Sequence, residues 1–219
     1  MRKYHLFFIL TIIVIQTLSA QRIGLDTFKR TVEGPEGYVV VNDHYFEPNF
    51  TAAFISNDDS NTVYKLRYNA FYDEIEIEHN GQILFLNKEE NLEVFFRELN
   101  KNYVCLRYSD GKDNVFGYLA VVYQGQKYKV LVKENVELFI GNKTDMTRGG
   151  SAEQYRKMKL KYFIKTEIGF FEMPNSKKKF AALFKGKEKA ILDYMKSNKI
   201  SLNDFMDIRK LFLFIEKMN

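Results

Sequence analysis

One cysteine, no tryptophan, three prolines and three histidines in 219 residues leave little material for several kinds of chemistry. A single thiol, Cys105, has no partner for an intrachain disulfide, so the fold must rest on a packed core. The surrounding Tyr-Val-Cys-Leu-Arg is strand-like and casts Cys105 as a small buried hydrophobe. His5 lies in an N-terminal leader, which leaves His44 and His79. Two histidines, with no cysteine pair and no His-Glu-x-x-His spacing, do not make a dedicated zinc site, and no cofactor is expected. Asp43 and His44 are neighbours that point to opposite sides of a strand, so they form no relay by themselves. A Cys105–His44 nucleophile pair would require the fold to bring the two together. Gly-x-Ser-x-Gly, Gly-x-x-x-x-Gly-Lys-Ser/Thr and Gly-x-Gly-x-x-Gly do not occur, which removes the serine-hydrolase, P-loop and dinucleotide signatures.

Long hydrophobic runs are also missing. A membrane-crossing helix needs about 20 apolar residues; the longest run, residues 6–15, has ten positions broken only by Thr11. Arg2 and Lys3 precede it, and residues 16–20 follow, ending in small Ala20. This three-part pattern predicts a secretory signal peptide over residues 1–20, cut between Ala20 and Gln21, although Leu18 is bulkier than the preferred alanine. Gln rather than Cys at position 21 predicts no lipidation. No transmembrane segment is expected in the mature chain, and export makes nucleic acid a poor candidate for a partner.

What is present is β-forming. Residues 37–173 contain short segments rich in Val, Ile, Tyr and Phe, separated by turn residues, the pattern of consecutive antiparallel strands. Glu74-Ile75-Glu76-Ile77-Glu78 alternates, Asn80-Gly81 supplies the positive φ angles of a tight hairpin, and residues 83–86 run back. Asp110-Gly111 and Gln124-Gly125 mark two further turns. If residues 64–70 pair with 73–78 around Phe71-Tyr72, Arg67 faces Glu76 and Lys65 faces Glu78, while Leu66 faces Ile77 and Tyr68 faces Ile75. Phe-Tyr is poor chemistry for a two-residue turn, and a loop one residue longer would shift that register. After Pro174 the period becomes helical: Ser176 caps a helix to Phe184, Gly186 breaks it, residues 187–197 form a second, and Ser201 with Asp204 opens a third to Lys217. Leu202, Phe205, Met206, Ile208, Phe212 and Ile215 give that third helix an apolar stripe that packs on a sheet. The prediction is an α+β chain. A flexible segment (21–36) leads into an antiparallel β-meander, sandwich or open barrel (37–173), followed by two to three C-terminal helices (174–219). Gly149-Gly150 centres the expected flexible connection.

Leu66-Arg67-Tyr68-Asn69, then Tyr72-Asp73-Glu74-Ile75-Glu76, the later Gly117-Tyr118, the Lys-rich stretch around Lys159 and the terminal helices together resemble a family of uncharacterised exported proteins from Bacteroidota. The resemblance spans most of the mature chain. It implies an envelope or secreted location in a Gram-negative cell and carries no activity, cofactor or catalytic residue with it. A helical C-terminus, in place of a β-sandwich sorting domain, favours the periplasm.

Charge is unevenly spread. Residues 21–150 hold 15 Lys/Arg against 20 Asp/Glu, and residues 151–219 hold 16 against 8. Lys157, Lys159, Lys161 and Lys165 alternate with apolar residues, so a strand there would show a row of lysines on one face; Lys177, Lys178 and Lys179 follow. Such a face attracts an anionic envelope component or an acidic protein, unless it guards a strand edge or pairs with the acidic part of the same chain. Asp73, Glu74, Glu76, Glu78, Glu89, Glu90 and Glu93 offer carboxylate pairs of the kind a glycosidase uses, but alternation on strands argues for solvated or cross-strand pairs. No catalytic residue is assigned. The expectation is a non-enzymatic binding or structural protein of the periplasm or envelope. The alternatives are a carrier holding a hydrophobic ligand in a β cup and a carboxylate-dependent hydrolase.

Overall fold

A computed structural model describes residues 28–30, 42–58, 62–111, 113–139, 154–167 and 169–218. The leader, its Ala20–Gln21 cut and the Gly149-Gly150 connection lie outside these residues. Eleven strands form one antiparallel sheet in the order β1 (Phe28–Arg30), β5 (Gln82–Leu86), β4 (Glu74–His79), β3 (Tyr64–Asn69), β2 (Thr51–Ile55), β6 (Glu93–Phe96), β7 (Lys101–Ser109), β8 (Asn114–Gln124), β9 (Lys129–Lys133), β12 (Lys161–Thr166) and β13 (Gly169–Glu172). A separate hairpin joins β10 (Val136–Phe139) and β11 (Gln154–Lys157). The segment expected to be a flexible lead-in thus contributes a three-residue strand on β5.

Local chemistry explains the hairpins. Asn80 and Gly81 both take positive φ, 51° and 72°, as a tight two-residue turn requires. Between β3 and β4 the expected register holds: Arg67 opposes Glu76, Leu66 opposes Ile77 and Tyr68 opposes Ile75. Neither Phe71 nor Tyr72 takes the strained backbone. Asp73 does, at φ 57°, and the Asn69 side-chain carbonyl accepts from the N–H groups of Phe71 and Tyr72 at 3.1 Å each.

The sheet curls in two directions. Tyr68 on β3 and Lys133 on β9 are five strand spacings apart, about 24 Å on a flat sheet, yet Lys133 Nζ lies 3.1 Å from the Tyr68 hydroxyl. The first half therefore closes into a half-barrel around Tyr68, Tyr103, Tyr118, Leu66 and Ile75. On the opposite face, the Tyr108 ring of β7 comes within 6.1 Å of the Phe170 ring of β13, four spacings away. There the second half wraps a smaller core of Val104, Leu106, Tyr108, Leu119, Leu131 and Phe163. Strands β7, β8, β9 and β12 are buried on both faces, which is why residues 115–123 read as a nearly continuous apolar run rather than an alternation.

Three helices follow: α1 (Lys177–Ala181), α2 (Glu188–Ser197) and α3 (Phe205–Lys217). They pack on the inner face, where Phe180, Phe184 and Phe212 meet Tyr123 and Tyr128. The first helix ends at Ala181 rather than Phe184, and Ser176 makes no side-chain capping bond. The third is capped by Asp204, whose carboxylate accepts from Asp207 N at 2.9 Å. Ser201 instead holds Asn203 N. Ile208, Leu211, Phe212 and Ile215 face the sheet, whereas Met206 points outward at 54% exposure. Among the described residues no helix is long and apolar enough to cross a membrane.

Candidate functional site

A recess forms where β9 stops. β8 pairs with β7 from Asn114 onward but with β9 only from Ala120. Tyr118 therefore lacks a β9 partner, and two side chains replace one. Asp73 accepts from Tyr118 N at 3.2 and 3.3 Å, and Lys133 Nζ donates to Tyr118 O at 3.3 Å. Lys133 also pairs with Asp73 at 2.5 Å, Tyr68 donates to Asp73 at 2.7 Å, and Lys88 approaches the other oxygen at 3.4 Å. Burial pushes the Lys133 ammonium below its ordinary range, and Asp73 opposes that shift. The same burial pushes the Tyr68 hydroxyl well up. Alongside, Glu134 accepts from Tyr103 and pairs with Lys101 at 2.5 Å.

Beyond this cap lies a cleft of about 460 Å³. Tyr108, Asp110 and Val115 form one wall. Residues 158–161 of the stretch leading into β12 form the other, and Lys133, Asn135, Glu137, Glu172 and Asn175 also line it, so three carboxylates, those of Asp110, Glu137 and Glu172, share the cleft with the lysines. Lys159 and Lys161 stand exposed on that wall, and no carboxylate among the described residues pairs with either.

The expected row of lysines is not a row. β11 and β12 belong to different sheets, and residues 158–160 between them are not strand. Lys157 turns away and lies 3.4 Å from Phe46 O. Lys161 and Lys165 share a face of β12 and stand opposite Lys133 and Lys129, two like-charge pairs that would repel. Asp73 neutralises Lys133, and Glu93 holds Lys129 at 2.9 Å. Lys177, Lys178 and Lys179 are exposed on α1 and do not line the cleft. The fold thus brings together Lys159, Lys161 and Lys133. Only Gly117, a lone glycine inside an apolar strand run, hinted in the sequence that something approaches β8 closely.

The other candidates are built into the structure. Glu76 is wholly buried, in the cross-strand pair with Arg67 that the alternation argues for. It accepts from Arg67 at 2.7 Å, from Asn69 at 2.6 Å and from Tyr45 at 3.1 Å, while the Arg67 guanidinium sits between the Tyr45 and Phe50 rings. Asp73, Glu76, Glu93 and Glu134 each have a cationic partner, so these carboxylates do not present a free acid–base pair to the cleft. His44 is enclosed by Phe71, Tyr72 and Tyr155, and Cys105 is buried in the main core; the structure does not pair them. Among the described residues no group of three His, Cys, Asp or Glu side chains is set to hold a metal. The recess lined by Tyr68, Phe96 and Tyr103 at the mouth of the half-barrel offers only about 10 Å³, roughly one water's worth of space. Comparison with protein-family models, curated proteins and solved structures gives no match.

Proposed function

We propose that this chain is an exported, non-enzymatic binding protein of the periplasm or cell envelope, and that the cleft beside Lys159 and Lys161 is its contact surface for a partner carrying negative charge. The signal-peptide pattern of residues 1–20 and the resemblance to exported proteins support the location. The observation that carries the binding reading is the pair of exposed, unneutralised ammonium groups on one wall of a cleft of about 460 Å³. In a partly enclosed recess such groups attract an anion more strongly than they do on an open face. The partnered state of Asp73, Glu76 and Glu134 speaks against the hydrolase alternative.

The test is association of the tagged mature chain with fractionated envelope material at low salt. Reversal of charge in Lys159→Glu/Lys161→Glu should weaken association, and more so than Lys177→Glu/Lys178→Glu/Lys179→Glu on α1. Equal association of wild type and the cleft double variant overturns the reading.

A further inference from the structure

The cleft beside Lys159 and Lys161 is polarised. Glu172 pairs with Phe163 across the β12–β13 hairpin, so the two project from the same face of the sheet. Lys161, two positions before Phe163, shares that face. Glu172 and Lys161 are therefore diagonal neighbours, about 7–8 Å apart at the backbone, and among the described residues neither has an ion-pair partner. The Glu172 carboxylate instead reaches the β7–β8 turn, where its Oε2 lies 4.0 Å from the place a Cβ on Gly111 would take. Asp110, next in the chain to Gly111, lines the cleft there and accepts from Asp113 N at 3.0 Å. Asp110 and Glu172 make this side acidic, and Lys159 and Lys161 make the other side basic. Glu137 and Lys133 add little to either, because Glu137 accepts from Asn135 Nδ2 at 3.1 Å and Lys133 is held by Asp73. Tyr108, Val115, Leu160 and Phe163 supply the apolar part of the lining.

We infer that the cleft takes a short free peptide of two or three residues, with its α-ammonium group at Glu172 and Asp110 and its α-carboxylate at Lys159 and Lys161. The inference rests on the binding function proposed above and names its ligand, the negative charge being that of the peptide's C-terminus. Three observations select this class. A polyanion drawn to the lysines would also meet the carboxylates of Asp110 and Glu172, whereas a ligand with one charge of each sign complements both sides. An extended chain spans about 3.3–3.6 Å per residue, so the termini of a dipeptide or tripeptide lie roughly 7–10 Å apart, the separation that the diagonal placement of Glu172 and Lys161 sets. The volume of about 460 Å³ falls within the range of roughly 300–1,000 Å³ that holds small molecules. Within it, the apolar lining suits the peptide's side chains, and Asn175 offers an amide to its peptide bond.

The test is an NMR titration of the full chain with Ala-Leu, Ala-Phe and Ala-Ala-Leu, each to about 10 mM. At least one should shift the amides of Asp110, Lys161 and Glu172. Its N-acetylated and its C-amidated forms should each bind about tenfold more weakly, since each cap removes one charged contact. Glu172→Gln should weaken the free and the C-amidated peptide while leaving the N-acetylated one unchanged. Lys159→Gln/Lys161→Gln should do the converse, weakening the free and the N-acetylated peptide but not the C-amidated one. Capping leaves the protein untouched, so the test survives if a variant does not fold. Capped and free peptides that bind alike overturn the inference, and so does a titration in which none of the three peptides shifts those amides. Absence of peptide binding, beside envelope association that still falls in Lys159→Glu/Lys161→Glu, overturns the peptide ligand alone. Peptide binding with the expected capping effects, beside envelope association that is equal in wild type and that double variant, supports the peptide ligand and overturns the envelope partner alone.

Discussion

The carboxylate of Asp73 fills the space that any side chain at Gly117 would need: a Cβ there would lie 2.0 Å from Asp73 Oδ2. Asp73 has little room to yield, because it is held by Tyr68, Lys133, Lys88 and the Tyr118 amide. This contact ties the β3–β4 turn to β8 and so closes the half-barrel at the cleft.

Gly117→Ala should therefore destabilise the protein by about 2 kcal/mol or more. Urea denaturation measures it. In an Asp73→Ala background, already weakened by the loss of a carboxylate from Lys133, the added cost of Gly117→Ala should shrink. Equal costs in the two backgrounds would mean that the clash is not with Asp73.

Removing one member of the Arg67–Glu76 pair leaves the other charge buried and uncompensated. Glu76→Gln and Arg67→Ala should each cost about 3–5 kcal/mol. Arg67→Lys should not rescue, since an ammonium forms neither the stack between Tyr45 and Phe50 nor the second contact from the guanidinium to Pro48 O at 3.2 Å. Denaturant midpoints of the three variants decide this.

His44 should make stability fall in mild acid. Burial holds its pKa below the ordinary 6.5, against the opposing pull of Glu76 and Asp43 and with a smaller push from Arg67. Above that value both folded and unfolded chains hold a neutral ring, so His44 adds no pH dependence. As pH falls through 6.5 the unfolded chain takes up a proton that the folded chain resists, and stability drops. Melting temperatures from pH 7.5 to 5.5 should decline for wild type and decline less for His44→Leu.

Cys105 should be inert while the protein is folded. Burial pushes its thiol up to about 12, and the side chain is wholly enclosed, so the thiolate needed for reaction is scarce and out of reach. Labelling by a disulfide reagent at pH 8 should be negligible in the native chain and complete in urea. Fast native labelling would place Cys105 outside the core.

Nearest-neighbour chemistry was enough to read the hairpins and helices. Asn80-Gly81 prefers positive φ wherever it occurs, and Arg67 opposite Glu76 follows from alternation once the turn is placed. The third helix was legible from its 3.6-residue stripe. Its cap was ambiguous between Ser201 and Asp204 because both offer a side-chain oxygen at the right stage of the chain. The lysines were read as a row because alternation from 157 to 165 suits one strand. The bend at 158–160, with Met158 N bonded to Asn135 O at 2.9 Å, depends on a residue more than twenty positions away. Sequence by itself thus determined an antiparallel, aromatic-cored chain with helices at its end, because those features arise from residues a few positions apart. Tertiary structure alone decided that the sheet curls both ways, that β9 stops short of the first residues of β8, and that Lys133, Lys159 and Lys161 share a cleft while Lys157 and the α1 lysines do not. Curl and strand ends are set by packing between strands distant in sequence, and no local pattern carries that packing.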